Sequence, residues 1–206
     1  MKLTSGWQTS IHGRESWCPM ADNINTVNHR WIREAFDHVE FAIDATCGGG
    51  NDTVFLAALA TEVLALDIQA EAVTKTRKKA AAFPNVTVVQ ADHAELKRWI
   101  DHPADIIVFN FGYLPHSCSP MITTPKTTLP ALDAARSLLK PEGLLSLACY
   151  RGHAGGMEEW QAIVSWIEQL DSSWSVRTYT DGRPQAPILY HLRRMEINPF
   201  STKKES

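Results

Sequence analysis

Apolar positions recur along the chain at two periods. Ile24, Val27, Trp31, Ile32 and Ala35 repeat at helical spacing, with Asn23 or Asn25 available as a cap. The short apolar run FAIDAT (41–46) predicts a buried strand, and TVFLAALA (53–60), beyond the loop CGGGNDT, predicts a helix. The alternation continues with strands over 62–67, 86–92, 105–110 and 143–150. Between and after them, helices are predicted over 69–82, 93–100, 128–139 and 157–170, with Pro130 near the first turn of the third. A long loop, FGYLPHSCSPMITTP, precedes that third helix. Strands over 175–180 and 187–194 close the chain, the second with alternating polarity.

Strands that are continuously apolar and alternate with helices predict an α/β fold whose parallel sheet is covered on both faces. No crossover helix separates the last two strands, so they are expected to pair antiparallel, giving seven strands in all. Residues 1–22 lack periodicity and are expected to form an extension, poorly ordered or lying over the surface, with Trp7 and Trp17 as anchors. Residues 23–196 then form one domain and 197–206 a polar tail. The length of 206 residues, 44% apolar and 21% charged, suits a single globular domain.

A net charge of −3 excludes a strongly basic nucleic-acid coat but leaves room for a local patch. The four cysteines, at 18, 47, 118 and 149, form no C-x-x-C, which argues against a zinc ribbon or a disulfide framework. The histidines give no convergent spacing, so no metal is expected. The N-terminus has no apolar stretch and no run approaches a membrane span. A soluble, cytoplasmic protein is therefore expected.

In such sheets ligands bind beyond the carboxyl ends of the strands, so the residues following each strand carry the chemistry. The first strand is followed by Asp44-Ala45-Thr46-Cys47-Gly48-Gly49-Gly50-Asn51-Asp52-Thr53. Glycines between strand and helix let backbone approach a ligand. Gly48 and Gly50 fit the dinucleotide fingerprint, but Thr53 stands where its third glycine belongs. Asp44 suits an amine better than a pyrophosphate; a tight turn capped by Asp52 is the plainer account. Asp67 ends the second strand 23 residues after Asp44, the reach of a ribose-binding acid, and could instead cap the next helix. Asp92, followed by His93, could meet an adenine amino group or cap a helix. Together these describe a nucleoside with an amino-acid tail, S-adenosylmethionine, with a nicotinamide dinucleotide as the competitor. Thr46 and Ile68 flank these positions and complete the expected cofactor set with Asn51 and Asn110.

The fourth strand ends in Asn110-Phe111-Gly112-Tyr113-Leu114-Pro115. It is similar to the Asn-Pro-Pro-Tyr run of methyltransferases acting on amino groups. The Asn110 side-chain carbonyl and the Phe111 backbone carbonyl would accept the hydrogens of an amine, and the Tyr113 ring would stack on a base. A turn with Tyr113 packed inward is the alternative. Beyond the fifth strand, Tyr150 and His153 lie in Y-R-G-H-A-G-G, where His153 could assist an amine proton or be structural, and Tyr150 could simply pack.

DATCGGGNDT, FNFGYLP and YRGHAGGMEE, in this order, resemble the YtqB-like rRNA methylase family, whose characterised members are MnmM-type tRNA methyltransferases. The resemblance runs from about residue 24 to about 194. It implies a class I methyltransferase fold using S-adenosylmethionine, and methylation of the 5-aminomethyl group of 2-thiouridine at the tRNA wobble position. It places Asp44, Gly48 and Gly50 in the cofactor loop and Asp67 at the ribose. It places Asn110, Gly112, Tyr113 and Leu114 on the reaction side, faced by His153, Gly155 and Gly156. The family usually reads G-N-G-H-D-T where this chain has GGGNDT, and G-G-D-K where it has His116-Ser117-Cys118-Ser119. The expected partner is the anticodon loop of tRNA, with Lys75, Lys78, Arg151, Arg183, Arg193 and Arg194 as phosphate contacts, and a homodimer is a further expectation. Another RNA, a small-molecule amine, or a non-catalytic RNA-binding module on the same fold are the competing readings.

Overall fold

The computed structural model describes residues 23–112, 114 and 121–195. The expected N-terminal extension, the polar tail, Tyr113 and residues 115–120 lie outside them. The elements are α1 (Ile24–Ala35), β1 (Val39–Asp44), α2 (Asn51–Ala57), β2 (Ala60–Asp67), α3 (Ala70–Lys79) and β3 (Val86–Gln90). A 3-10 helix (His93–Arg98), β4 (Ala104–Phe111), α4 (Pro125–Leu138), β5 (Leu139–Cys149), α5 (Gly156–Ile167), β6 (Trp174–Tyr179) and β7 (Ile188–Arg194) follow.

The seven strands form one sheet in the order β3-β2-β1-β4-β5-β7-β6. All pairs are parallel except β5·β7 and β6·β7. The expected antiparallel closing pair is present, with β7 seated between β5 and β6. From β1 the chain winds outward through β2 and β3, then returns to lay β4 against the other side of β1. That reversal opens a crevice at the carboxyl ends of β1 and β4.

Both sheet faces are covered, which is why the central strands carry little but apolar side chains. On one face Ile32 of α1 and Leu56 of α2 pack on Val63, Ile106 and Val108. On the other, Leu132 of α4 and Ile163 and Trp166 of α5 pack on Ile107, Phe109 and Leu147.

Some boundaries differ from the sequence expectation. Helix α2 starts at Asn51, two residues early, because Gly50 takes a left-handed conformation (φ 76°) and turns the chain sharply into it. A side chain at Gly50 would also put its Cβ 3.0 Å from Thr76 Cα. Helix α4 starts at Pro125, whose fixed φ and missing N–H suit a first turn, so Pro130 lies inside the helix.

Helix α1 is fixed to the far half of the sheet by a buried polar knot. Asn28 Oδ1 accepts hydrogen bonds from Ser146 Oγ and from His191 Nε2, both at 2.8 Å. Burial pushes the His191 imidazole down to about 3, so it is neutral at ordinary pH. The same helix thereby turns Asn25 toward the crevice and His29 toward Asp52.

Candidate active site

A cavity of about 490 Å³ fills the crevice, lined by the loops after β1, β2, β3, β4 and β5 together with Asn25 of α1. Its floor is the turn after β1. Asp44 is fully buried; its Oδ2 accepts the Thr53 hydroxyl at 2.6 Å, and its Oδ1 has no partner among the described residues. Burial, and then the neighbouring Asp52 carboxylate, push the Asp44 carboxyl up to about 8. Asp67 ties two turns together, accepting the backbone N–H of Gly48 at 3.0 Å and of Gln69 at 2.9 Å. Asp92 Oδ1 accepts the N–H of Ala94, so it does cap the 3-10 helix while also facing the cavity. His93 packs edge-on to Phe109 and Phe111; burial lowers its pKa, and its buried Nε2 has no partner among the described residues.

Of the expected cofactor residues, Thr46, Gly48, Asn51, Asp52, Asp67, Ile68, Asp92, His93 and Asn110 line the cavity. Asp44, Gly50 and Thr53 are not among the lining residues, and Thr53 acts through its bond to Asp44. The Asn51 side chain is engaged by the Lys79 ammonium.

The opposite wall comes from β4 and β5. Asn110 N–H donates to Thr46 Oγ1 at 2.6 Å, and its side-chain Nδ2 donates to Asp52 Oδ2 at 2.5 Å. Asn110 Oδ1 is left buried with no partner among the described residues. Asp52 in turn receives His29 Nε2 at 2.5 Å on its other oxygen, and the His29 ring lies flat on Phe55 at 3.8 Å. The Phe111 carbonyl, expected to receive a ligand amine, accepts the Tyr150 N–H at 3.2 Å and extends the β4·β5 ladder, and Phe111 is buried and does not line the cavity.

Gly112, Leu114 and Tyr150 line the cavity. The Tyr150 hydroxyl reaches Asn25 Oδ1 at 3.3 Å. Gly112 has φ 150° and is wedged against Tyr150 and His153, with no room for a larger residue to swing freely. His153 is not a lining residue; its Nδ1 lies 2.9 Å from its neighbour's carbonyl, Ala154 O, and the ring sits behind Gly112 and Gly156. Any direct handling of a proton in the cavity by His153 would need the ring to turn.

Sequence reasoning missed two pairs. Asn25 and His29 stand four apart on α1; the sequence offers Asn25 only as a possible helix cap and gives no sign of His29. Thr123 and buried Glu159 anchor the turn after β4: Gly112 N–H donates to Thr123 Oγ1 at 2.8 Å, and that hydroxyl donates to Glu159 Oε2 at 2.7 Å. Glu159 also accepts the Thr128 hydroxyl at 2.5 Å, and burial raises its pKa.

Buried polar atoms without partners are rare in a folded chain, so Asp44 Oδ1, His93 Nε2, Gln69 Oε1 and Asn110 Oδ1 around one cavity point to a polar ligand. A nucleoside with a charged amino-acid end would fit them: the buried acid could face an ammonium, Asp67 a ribose, and His93 with Ile68 a base. Sheet order and site together define a class I S-adenosylmethionine-dependent methyltransferase. The chain belongs to the family described as "Putative rRNA methylase", whose model matches residues 63–191. It is 31% identical to a solved Clostridium thermocellum protein described as a "putative rRNA-methylase", covering 84% of this chain and 98% of that one with a TM-score of 0.79. A methyltransferase of Streptococcus mutans, solved in complex with S-adenosylhomocysteine (SAH), is 32% identical over 85% of this chain and 100% of its own, with a TM-score of 0.77. An Arabidopsis thaliana chloroplastic tRNA (mnm(5)s(2)U34)-methyltransferase is 34% identical over 172 residues, 75% of this chain. The match spans 63% of that longer relative.

Proposed function

We propose that the protein methylates the exocyclic amine of 5-aminomethyl-2-thiouridine at the wobble position of tRNA. The observation that carries this reading is Asn110 Oδ1, a buried acceptor held at the cavity wall with its amide nitrogen already engaged. The name of the Arabidopsis relative supports the substrate. An anticodon loop offers unstacked bases, so no duplex has to be opened, and Tyr150 and Asn25 provide an aromatic and polar rim for one.

When bound, S-adenosylmethionine supplies a methyl group on a positively charged sulfur. Asp44 Oδ1 and Asp67 would hold its ammonium and ribose ends, and His93 its base. Asn110 Oδ1 accepts one N–H of the neutral amine and so aims the nitrogen lone pair into the cavity. Positioning of this kind is the main demand on the protein, since the electrophile needs no further activation. Transfer to the amine would exchange the C–S bond for a C–N bond, and the methylated ammonium would give its extra proton to solvent. His153 supports the loop carrying Gly112 in this reading and reaches the proton only by a ring rotation. The enzyme is proposed to act in the cytoplasm; among the described residues no helix is long and apolar enough to cross a membrane.

Mass spectrometry of tRNA nucleosides from a deletion strain tests the proposal. The 5-aminomethyl-2-thiouridine should accumulate at the expense of its N-methyl form, and purified protein with labelled S-adenosylmethionine should methylate that tRNA. Unchanged nucleosides, with no label transfer, would overturn it.

A further inference from the structure

The amide of Asn110 can face the cavity in two ways, and only one serves an amine. With Oδ1 inward it accepts an N–H; with Nδ2 inward it would repel the same hydrogens. An amide alone does not choose between these, because its two ends are nearly the same size. The surroundings choose. Asp52 is 5% exposed, and its Oδ2 stands 2.5 Å from Asn110 Nδ2. Turning the amide over would set its oxygen against the carboxylate, two acceptors with no hydrogen between them. Asp52 is itself fixed from the other side by His29 Nε2 on Oδ1, and His29 is held flat by Phe55. The chain His29–Asp52–Asn110 links three elements, α1, α2 and β4, and ends at the unpartnered Asn110 Oδ1.

We propose that His29 and Asp52 are positioning residues which lock the Asn110 amide with its carbonyl toward the acceptor amine. This rests on the methyltransferase reading above and adds two residues that act through Asn110. Charge-assisted hydrogen bonds of this kind are stronger and more directional than neutral ones, which suits a lock. Asp52 lines the same cavity as the cofactor residues, yet its two oxygens are each committed to a protein partner. It is therefore assigned to the nucleophile side of the reaction.

The test compares His29→Ala, His29→Gln and Asp52→Asn with the parent protein. Turnover at saturating S-adenosylmethionine and tRNA from the deletion strain should fall about 10- to 100-fold in His29→Ala and Asp52→Asn, the scale of a misaligned reactant. SAH affinity, measured by calorimetry, should stay within about threefold in His29→Ala, whose side chain does not line the cavity; Asp52→Asn also removes a charge beside Asp44, so its turnover is compared at saturating cofactor only. In the SAH complex, the side-chain ¹H–¹⁵N pair of Asn110, identified by its loss in Asn110→Ala, should shift in both variants. His29→Gln, which keeps an N–H donor, should recover part of the turnover and part of the shift. Unchanged turnover, an unmoved Asn110 resonance, or SAH affinity falling in step with turnover in His29→Ala would each overturn the proposal. If the parent protein fails to methylate this tRNA, the proposed substrate falls, whereas the Asn110 resonance still decides the lock.

Discussion

Asp44 is the residue whose chemistry is most altered by its surroundings. Its carboxyl, pushed up to about 8 chiefly by burial, is protonated in the free protein near pH 7. A ligand ammonium bound near its buried, unpartnered Oδ1 favours the charged form, so binding should expel a proton. Calorimetry of SAH at pH 7 in buffers of different ionisation enthalpy should show release of up to about one proton, and Asp44→Asn should release fewer. Equal enthalpies in all buffers would remove Asp44 from the ammonium site. The positions of Asp44 and Asp67 were legible in the sequence because a strand end fixes where a residue sits. Their partners were not. Nothing in FNFGYLP says that the Phe111 carbonyl is spent on Tyr150 N–H, or that the nitrogen of Asn110 is spent on Asp52, 58 positions away.

Elements were read well where one period dominates and poorly where a turn decides. The helix α1 was visible from its apolar stripe, but its role was not. Its polar positions Asn25, Asn28 and His29 look like solvent-facing residues until β5, β7 and α2 are folded beside them. His191 makes this seating sensitive to acid. Its folded pKa of about 3 lies below the ordinary 6.5, so the unfolded chain binds more protons between those values. The stability it contributes is complete above about pH 6.5 and drains away as the pH falls toward 3. Between pH 7 and pH 4 the urea midpoint of the parent protein should therefore fall relative to that of His191→Gln. Asp44 acts with the opposite sign but is common to both proteins, so their difference isolates His191. Parallel slopes would show that the imidazole is not the titrating group.

Across the whole molecule, few of the expected phosphate contacts remain available. Arg151 donates to the Ala186 carbonyl and lies over Trp160, Arg183 pairs with Asp181, Arg193 with Glu142, and Arg194 donates to the Leu139 carbonyl. Lys75 lines the cavity and makes only an exposed pair with Glu71, while Lys78 is exposed and has no ion pair among the described residues. Sequence lists cations without saying which are already committed to structure. Removing the charges of Lys75 and Lys78 together should weaken tRNA binding and reduce its salt slope by about 2, one unit per lost phosphate contact. An unchanged slope in filter-binding titrations would move the RNA to another face.

The late strand β7, inserted between β5 and β6, also imposes an order of events on a newborn chain. The ribosome delivers Asn25, His29 and the glycine turn early, yet the knot that seats their helix needs His191, 163 positions after Asn28. Until β7 has left the exit tunnel, Ser146 alone can hold Asn28, and the wall of the crevice supplied by α1 is unfinished. A nascent chain thus carries every residue named as lining the cavity before the strand that completes the seating of α1. Seating of α1 therefore waits on β7, the last strand among the described residues.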